Sequence, residues 1–145
     1  MTGAGYFRGV CPAPPDPLRT WKDPRHRRGL AGERAAISYL LRNGWSIEAH
    51  RFRLGHHDLD LVARKGRVVA FIEVKTRRSL RFGAPSEAVG WKKRGILGRV
   101  ARMWQLRFGR EEDAYRFDVI AVCEMASSAD LQITHIEDAW RHVEK

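Results

Sequence analysis

One apolar segment in the middle of the chain constrains the fold more than any other feature. Residues 68–72 read Val-Val-Ala-Phe-Ile, and such a continuous apolar run predicts a strand that is covered on both faces. The same segment continues as Glu73-Val74-Lys75, which places two charged side chains in a strand that otherwise belongs to a core. A buried charge costs free energy unless it is paired or binds a metal ion. We therefore expect a buried central strand that ends in a polar site.

Hydrophobic periodicity and turn residues predict the elements around this strand. A helix followed by three strands, a second helix and further strands favours an α/β fold with a central mixed β-sheet flanked by helices. Residues 79–85 are expected to form a loop. The predicted elements are a helix over 29–43, strands over 45–53, 57–64 and 67–76, a helix over 86–108, strands over 117–123 and 131–134, and a terminal helical turn over 137–142.

The first 28 residues differ in composition from the rest of the chain. They contain five of the six prolines, and six basic residues there outnumber two acidic ones. Proline removes backbone donors and the segment has few apolar residues, so residues 1–28 are predicted to form a disordered, basic, Pro-rich arm. The remaining residues, 29–145, are enough for one domain with a core.

The charge of the chain indicates its partners. The formal net charge of +10 attracts phosphate polymers, so DNA is the expected partner, although ribosomes, membrane surfaces and acidic proteins also attract basic chains. No apolar run approaches the roughly 18 residues that cross a bilayer, and the N-terminus lacks the apolar region of a secretory signal. Cys11 and Cys123 have no metal-site or disulfide spacing, so a reducing cytoplasm is the expected compartment. No small-molecule cofactor is predicted.

A hairpin would bring further acidic residues to the charged end of the central strand. With Lys65-Gly66 as the turn, Asp58 pairs with Glu73. Side chains alternate along strands, so Asp58, Asp60, Glu73 and Lys75 then project from one face of the sheet. A register slip of one residue would separate the two sets.

Two carboxylates that converge at a strand edge suit Mg²⁺, which binds a few carboxylates and keeps several waters. Such an ion activates water and neutralises a phosphodiester, and Mn²⁺ could replace it. The ammonium group of Lys75 would orient the water or stabilise the pentacoordinate phosphorus. An internal ion pair of Lys75 with Glu73 or Asp60 explains the same residues without a metal. Glu33 lies on the inward stripe of the first helix, or it simply favours the positive end of the helix dipole.

The order and spacing of several motifs resemble the YraN family of bacterial proteins, over about residues 29–122. That family is similar to the PD-(D/E)XK nuclease superfamily and, within it, to archaeal Holliday junction resolvases. The resemblance implies a restriction-endonuclease-like core, Mg²⁺-dependent cleavage of DNA and a homodimer with two active sites. The motifs are Gly32-Glu33-x-x-Ala36-x-x-Tyr39-Leu40, Asp58-Leu59-Asp60-Leu61-Val62, Phe71-Ile72-Glu73-Val74-Lys75-Thr76-Arg77, Phe82-Gly83-Ala84-Pro85 and Arg116-Phe117-Asp118-Val119-Ile120.

The resemblance assigns roles to four of these residues. Glu33, Asp60 and Glu73 would hold the metal, and Lys75 would assist the attacking water. The chain departs from the family pattern at His57-Asp58, where the family has Gly-Glu. This change affects the surroundings of the site and leaves Asp60 in place.

Basic residues near the proposed site are candidates for phosphate contact, although those in the second helix could equally form a solvated surface. Asp118 is expected to be a structural cap or ion-pair partner, and Trp91 and Trp104 are expected to pack against other side chains rather than to stack on bases. The candidate nucleic-acid-binding residues are Arg77, Arg78, Lys92, Lys93 and Arg94.

Three functions are compatible with these features. The first is a metal-dependent endonuclease that acts on branched or distorted DNA. The second is a non-catalytic nucleic-acid-binding protein with the same fold, in which Glu73 and Lys75 form a structural pair. The third is an adaptor in DNA repair or uptake, for which affinity would depend only weakly on salt.

Overall fold

A five-stranded mixed sheet forms the centre of the computed structural model, which describes residues 24–77, 89–124 and 131–142. In the described residues the strands lie in chain order across the sheet, and all neighbours are antiparallel except β3 and β4, which are parallel. The predicted α/β class with a central mixed sheet is confirmed. The elements are α1 (Pro24–Arg42), β1 (Ser46–Leu54), β2 (His57–Lys65), β3 (Val68–Arg77), α2 (Trp91–Phe108), β4 (Ala114–Glu124) and β5 (Leu131–Trp140).

Two apolar clusters cover the sheet, one with each helix. Leu40 of α1 belongs to the same buried cluster as Ile72, whereas Trp104 of α2 belongs to the cluster of Phe71. Consecutive side chains of β3 therefore pack on different helices. This arrangement explains why the sequence of β3 is continuously apolar, and it confirms the prediction of a strand that is buried on both faces.

The turn between β2 and β3 differs from the predicted one by one residue. Gly66 adopts a left-handed φ of 61°, and Lys65 pairs with Val68, so that the two turn residues are Gly66 and Arg67. A left-handed residue in a tight hairpin turn favours glycine, which explains this position. The predicted pairing of Asp58 with Glu73 was therefore wrong. The register moves by two residues, however, so every side chain keeps its predicted face.

Several element boundaries also differ from the prediction, and strand β4 begins at Ala114 and not at residue 117. Helix α1 begins at Pro24 and not at residue 29, which proline permits because its missing N–H has no partner in the first helical turn. Helix α2 begins at Trp91 after an extended Gly90, and not at residue 86. Strand β5 continues to Trp140, where a helical turn was predicted, because Trp140 still pairs with Phe117 of β4. Most of the predicted arm, residues 1–23, and the predicted loop over 79–85 lie outside the described residues.

Among the residues that the structure describes, no helix has both the length and the apolar character needed to cross a membrane.

Candidate metal centre

Asp60 and Glu73 meet where strands β2 and β3 stop pairing through their backbones. The last backbone pair joins Leu61 to Ile72, and its register continued by one residue sets Asp60 opposite Glu73. The N–H of Val74 donates to Oδ2 of Asp60 at 2.9 Å, so the side chain of Asp60 takes the place of the next backbone acceptor. The two carboxylates are thus fixed on adjacent strands, as the sequence predicted.

Glu73 is buried, and only one of its two carboxylate oxygens lies near positively charged groups. Only 2% of the residue is exposed. Its Oε2 lies 3.0 Å from Nζ of Lys93 and 4.0 Å from Nζ of Lys75. Its Oε1 is buried and has no hydrogen-bond partner among the described residues. An unsatisfied buried carboxylate oxygen is expensive, so a partner at Oε1 would stabilise this site.

Two of the site residues have pKa values that are shifted from their usual range. Burial and the neighbouring charge of Glu73 raise the pKa of Asp60 to about 7. Burial and the neighbouring Lys93 lower the pKa of Lys75 below its usual value. The shifts of Asp60 and Lys75 therefore both favour the uncharged form of the group. Pairs of titratable groups with opposed shifts are typical of functional sites.

Glu33 approaches the site from helix α1 and has its own partners. Arg51 donates to Oε2 of Glu33 from Nε at 3.2 Å and from Nη2 at 2.8 Å, and Nε2 of His50 lies 3.2 Å from the same oxygen. Burial opposes ionisation of Glu33, but these contacts outweigh it and hold its pKa below the usual value. Glu33 is near enough to contribute to the raised pKa of Asp60. Its role as a metal ligand remains a prediction.

Arg51 holds Glu33 from a strained backbone position. Its φ is 58°, a left-handed conformation that is unfavourable for a side chain of this kind. Strained residues cluster at functional sites, where the surrounding structure maintains them. Neither the strain nor the contact with Glu33 could be read from the sequence, because strand β1 shows no glycine or turn signal at this point.

Whether a divalent ion can bind here depends on which side-chain oxygens the strands bring together. In residues 24–77, 89–124 and 131–142, no three or more His, Cys, Asp and Glu side chains are grouped closely enough to hold a metal ion together. The protein donors that do come together are the pair Asp60 and Glu73, with Oε1 of Glu73 unpartnered. Mg²⁺ binds to one or two carboxylates and completes its shell with water or phosphate. The carboxylate donors of this pair are therefore of the type that Mg²⁺ binds.

The candidate phosphate-binding residues occupy different surroundings. Lys92 is exposed, with Nζ 5.6 Å from the centre of the Trp91 ring. Lys93 points to Glu73 and belongs to the site itself. Arg94 is half-buried, donates from Nε to the carbonyl of Val89 at 2.8 Å and lies over the ring of Trp140. The side chain of Arg77 and the whole of Arg78 lie outside the described residues.

Of the two tryptophans of helix α2 that were predicted to pack, one is buried and the other is exposed. Trp104 is 1% exposed and packs against Phe71, as predicted. Trp91 is 78% exposed, so the prediction that it packs against other side chains was wrong. The helix begins at Trp91, and its first residue therefore precedes the apolar stripe that faces the sheet.

Asp118 lies in a family motif but serves a structural purpose. It is fully buried and accepts hydrogen bonds from Arg116 and from the backbone N–H of Asp138. Its Oδ2 lies 2.7 Å from Nε2 of His135. These contacts join β4 to β5 and confirm the prediction of an ion-pair partner.

The stretch of chain that carries the candidate site matches a known family. The model of "Uncharacterised protein family UPF0102" matches residues 32–122, which run from Gly32 to the core of strand β4. The chain belongs to the UPF0102 family. This membership confirms the resemblance of the sequence motifs to the YraN family. Glu33, Asp60 and Glu73 all lie inside the matched region.

Relatives in the UPF0102 family are similar over most of their length. A UPF0102 protein of Symbiobacterium thermophilum is 44% identical over 114 residues, which cover 79% of this chain and 96% of the relative. One of Caldicellulosiruptor saccharolyticus is 38% identical over 112 residues, covering 77% and 95%. One of Chlorobium phaeobacteroides is 36% identical over 123 residues, covering 82% and 96%. The family match over residues 32–122 includes strands β2 and β3, which carry Asp60 and Glu73.

Proposed function

We propose that this UPF0102 protein is a metal-dependent endonuclease that hydrolyses phosphodiester bonds in branched or distorted DNA. The observation that carries the proposal is the buried pair Asp60 and Glu73, which has an unpartnered oxygen and lies beside Lys75. A strand hairpin that bears Asp and Glu-x-Lys on one face is also what a restriction-endonuclease-like, PD-(D/E)XK core requires. The fold assignment is part of the same proposal.

Mg²⁺, or Mn²⁺ in its place, would supply positive charge that activates water and neutralises the phosphodiester. Asp60 and Glu73 would hold the ion, and Oε1 of Glu73 offers a carboxylate oxygen that no described group uses. Glu33 would contribute from the neighbouring helix if its contacts with Arg51 and His50 rearranged. The ionised form of Asp60 is the form that binds metal, so metal affinity should rise with pH.

Lys75 would act on the attacking water. It is half-buried on the same strand as Glu73, and burial together with the charge of Lys93 lowers its pKa. A lysine with a lowered pKa exists in its neutral form more often than a free lysine and can accept a proton at Nζ. In the proposed reaction Lys75 orients the water and takes up its proton.

DNA contact would come from the surface around this site. The net charge of +10 gives a general attraction for phosphates, and exposed Lys92 lies next to the site residue Lys93. Arg77 and Arg78 follow Lys75 directly in the sequence and remain candidates. A homodimer with two sites and a cytoplasmic location complete the proposal.

A second candidate function is favoured by one specific contact. Lys93 and Lys75 already neutralise part of the charge of Glu73, as an internal ion pair would. In that case the chain binds nucleic acid, or acts as an adaptor in DNA repair or uptake, without catalysis.

Cleavage assays distinguish the two functions. Purified protein is incubated with a four-way junction, a linear duplex, single-stranded DNA and a supercoiled plasmid, in Mg²⁺, in Mn²⁺ and in EDTA. Asp60→Asn and Lys75→Met are compared with Glu111→Gln and Lys65→Met, which change exposed residues of the same types of charge. Metal-dependent cleavage that is lost only in the first two variants supports the nuclease. Tight, salt-sensitive binding without cleavage of any substrate would refute it and favour the binding protein.

A further inference from the structure

Lys93 reaches the site from a different element than the other site residues. It lies in the first turn of α2, whereas Asp60, Glu73 and Lys75 lie on β2 and β3. Its Nζ is 3.0 Å from Oε2 of Glu73, a shorter distance than the 4.0 Å from Lys75. Lys93 therefore forms the closer ion pair with the central carboxylate of the site.

Lys93 has the properties of a counter-ion for Glu73. The side chain of Glu73 is 3% exposed, so ionising it requires a nearby positive charge. The ammonium group of Lys93 lies within ion-pair distance of this carboxylate. Lys93 therefore supplies a cation to the same carboxylate that a metal ion would use.

Lys93 is also free to leave Glu73, unlike Lys75. Its side chain is 47% exposed, whereas that of Lys75 is 21% exposed and starts from the same buried strand as Glu73. A long side chain at a helix surface can swing to solvent by changing rotamers. Oε1 of Glu73 is buried and has no described partner, so an ion that enters the site would find one carboxylate oxygen that Lys93 does not contact.

Metal and ammonium cannot both remain against one carboxylate at low cost. Two positive charges that contact the same carboxylate repel each other, because the protein screens them less than bulk water does. We propose that Lys93 is the resident counter-ion of Glu73 in the metal-free protein, and that a divalent ion displaces its ammonium group, which then contacts the substrate phosphate. This exchange rests on the proposed metal site and adds to it a residue that both competes with the metal and responds to its binding.

Metal affinity tests the exchange without DNA or catalysis. Mn²⁺ binding to the full chain is measured by calorimetry for the wild type, Lys93→Met, Lys93→Arg and Lys92→Met. Removing the competing charge should tighten binding about tenfold or more in Lys93→Met. Lys93→Arg keeps the charge and Lys92→Met changes the exposed neighbour, so both should bind as the wild type does.

The outcomes separate the exchange from the proposed function. Equal Mn²⁺ affinity in the wild type and Lys93→Met, or weaker binding in Lys93→Met, would overturn the exchange and leave the metal site standing. A failure of every protein to bind Mn²⁺ would overturn both.

A double-mutant cycle tests the ion pair itself. Thermal unfolding is measured for Lys93→Met, Glu73→Gln and the double variant, in EDTA and in saturating Mn²⁺. The exchange predicts that the two substitutions are coupled in EDTA, because each single change leaves the other group unpaired, and that Mn²⁺ decreases the stability lost in Lys93→Met. Additive effects in EDTA would overturn the counter-ion role, whatever the metal affinity.

Discussion

A methyl group on Gly32 would lie 2.2 Å from Oγ1 of Thr76. Helix α1 therefore approaches the end of β3 so closely that its helical residue at this point has no room for a side chain. The next residue, Glu33, reaches the neighbourhood of Asp60 because of this approach. The glycine in the Gly32-Glu33 motif is thus explained by packing, at the position where the helix meets the strand that carries Glu73.

We expect Gly32→Ala to destabilise the protein by about 1–3 kcal/mol, because overpacking displaces α1 or rotates Thr76. Alanine is the better helix former by about 1 kcal/mol, so the same substitution should become neutral or stabilising when Thr76→Ala removes the clashing atoms. Urea unfolding of the two single variants and the double variant measures this. Equal effects of Gly32→Ala in both backgrounds would show that the contact with Thr76 does not limit the packing.

The raised pKa of Asp60 predicts the pH dependence of stability in the metal-free protein. The pKa is 3.8 in the unfolded chain and about 7 in the folded one, so between these values the folded protein binds more protons. The free energy of unfolding should therefore fall as pH rises from about 4 to about 7, by up to about 1.4 kcal/mol per pH unit from this group. Glu33 and Asp113, whose pKa values are lowered, act in the opposite sense and only below about pH 4.5.

Asp60→Asn isolates this contribution from those of the other titratable groups. Its free energy of unfolding in EDTA should lose the decline that the wild type shows between about pH 5 and pH 7. Saturating Mg²⁺ should remove the decline from the wild type too, because the metal binds the ionised carboxylate. A constant difference between wild type and variant over this range would contradict the raised pKa.

Arg64, Glu48 and Asp113 form a second buried group of charges. Substitutions there should lower the stability of the protein without changing the candidate metal site. Arg64 is 9% exposed in its side chain and forms ion pairs with Glu48 and Asp113, which join strand β2 to strand β1 and to the turn before β4. Arg64→Ala should destabilise the protein by about 3–5 kcal/mol, because it leaves buried carboxylates unpaired. The double variant Arg64→Met with Glu48→Leu should recover part of that loss, since it removes one of the two carboxylates that Arg64 pairs with and leaves only Asp113 without this partner.

Thermal unfolding measures these effects, with Arg53→Ala as the control. Arg53 forms an exposed ion pair with Asp58, and losing it should change stability little. Metal affinity of the Arg64 variants, measured where they are folded, should equal that of the wild type. A loss of stability in Arg53→Ala as large as in Arg64→Ala would contradict the distinction between buried and exposed pairs.

The sequence was sufficient to predict the site on strands β2 and β3 because strand alternation survives errors in register. The turn lies at Gly66 and Arg67, one residue later than predicted, yet the resulting shift of two positions keeps Asp60 and Glu73 on one face. Strand alternation does not predict contacts between elements that are far apart in the sequence. Helical periodicity placed Lys93 on a basic surface, and only the packing of α2 shows that it reaches Glu73.

The wrong predictions for strand β5 and Trp91 also depended on contacts between elements that are distant in the sequence. The predicted helical turn over 137–142 is a strand because β4 offers partners as far as Phe117, and Asp138 takes a left-handed φ of 50° with its N–H bound to Asp118. Trp91 was predicted to pack because it is large and apolar. Its exposure follows from where α2 begins, which local sequence signals placed five residues too early.

Exposed Trp91 predicts a contribution to DNA binding that does not depend on charge. It is 78% exposed at the start of α2, beside exposed Lys92, and its position is two residues before Lys93. Stacking of an unpaired base on an aromatic ring contributes about 1–3 kcal/mol. We therefore expect Trp91→Ala to weaken binding of single-stranded DNA about tenfold, whereas Trp91→Phe should retain most of the affinity.

Leu106→Ala provides the matched control, because Leu106 is 67% exposed near the other end of the same helix. Fluorescence anisotropy with labelled single-stranded DNA, repeated over a range of salt concentrations, separates stacking from charge. Trp91→Ala should lower affinity without changing its salt dependence, whereas Lys92→Gln should reduce the slope by about 0.7 for one lost phosphate contact. Equal affinities of Trp91→Ala and Leu106→Ala would show that Trp91 does not stack on bases and that charge alone accounts for binding at this end of α2.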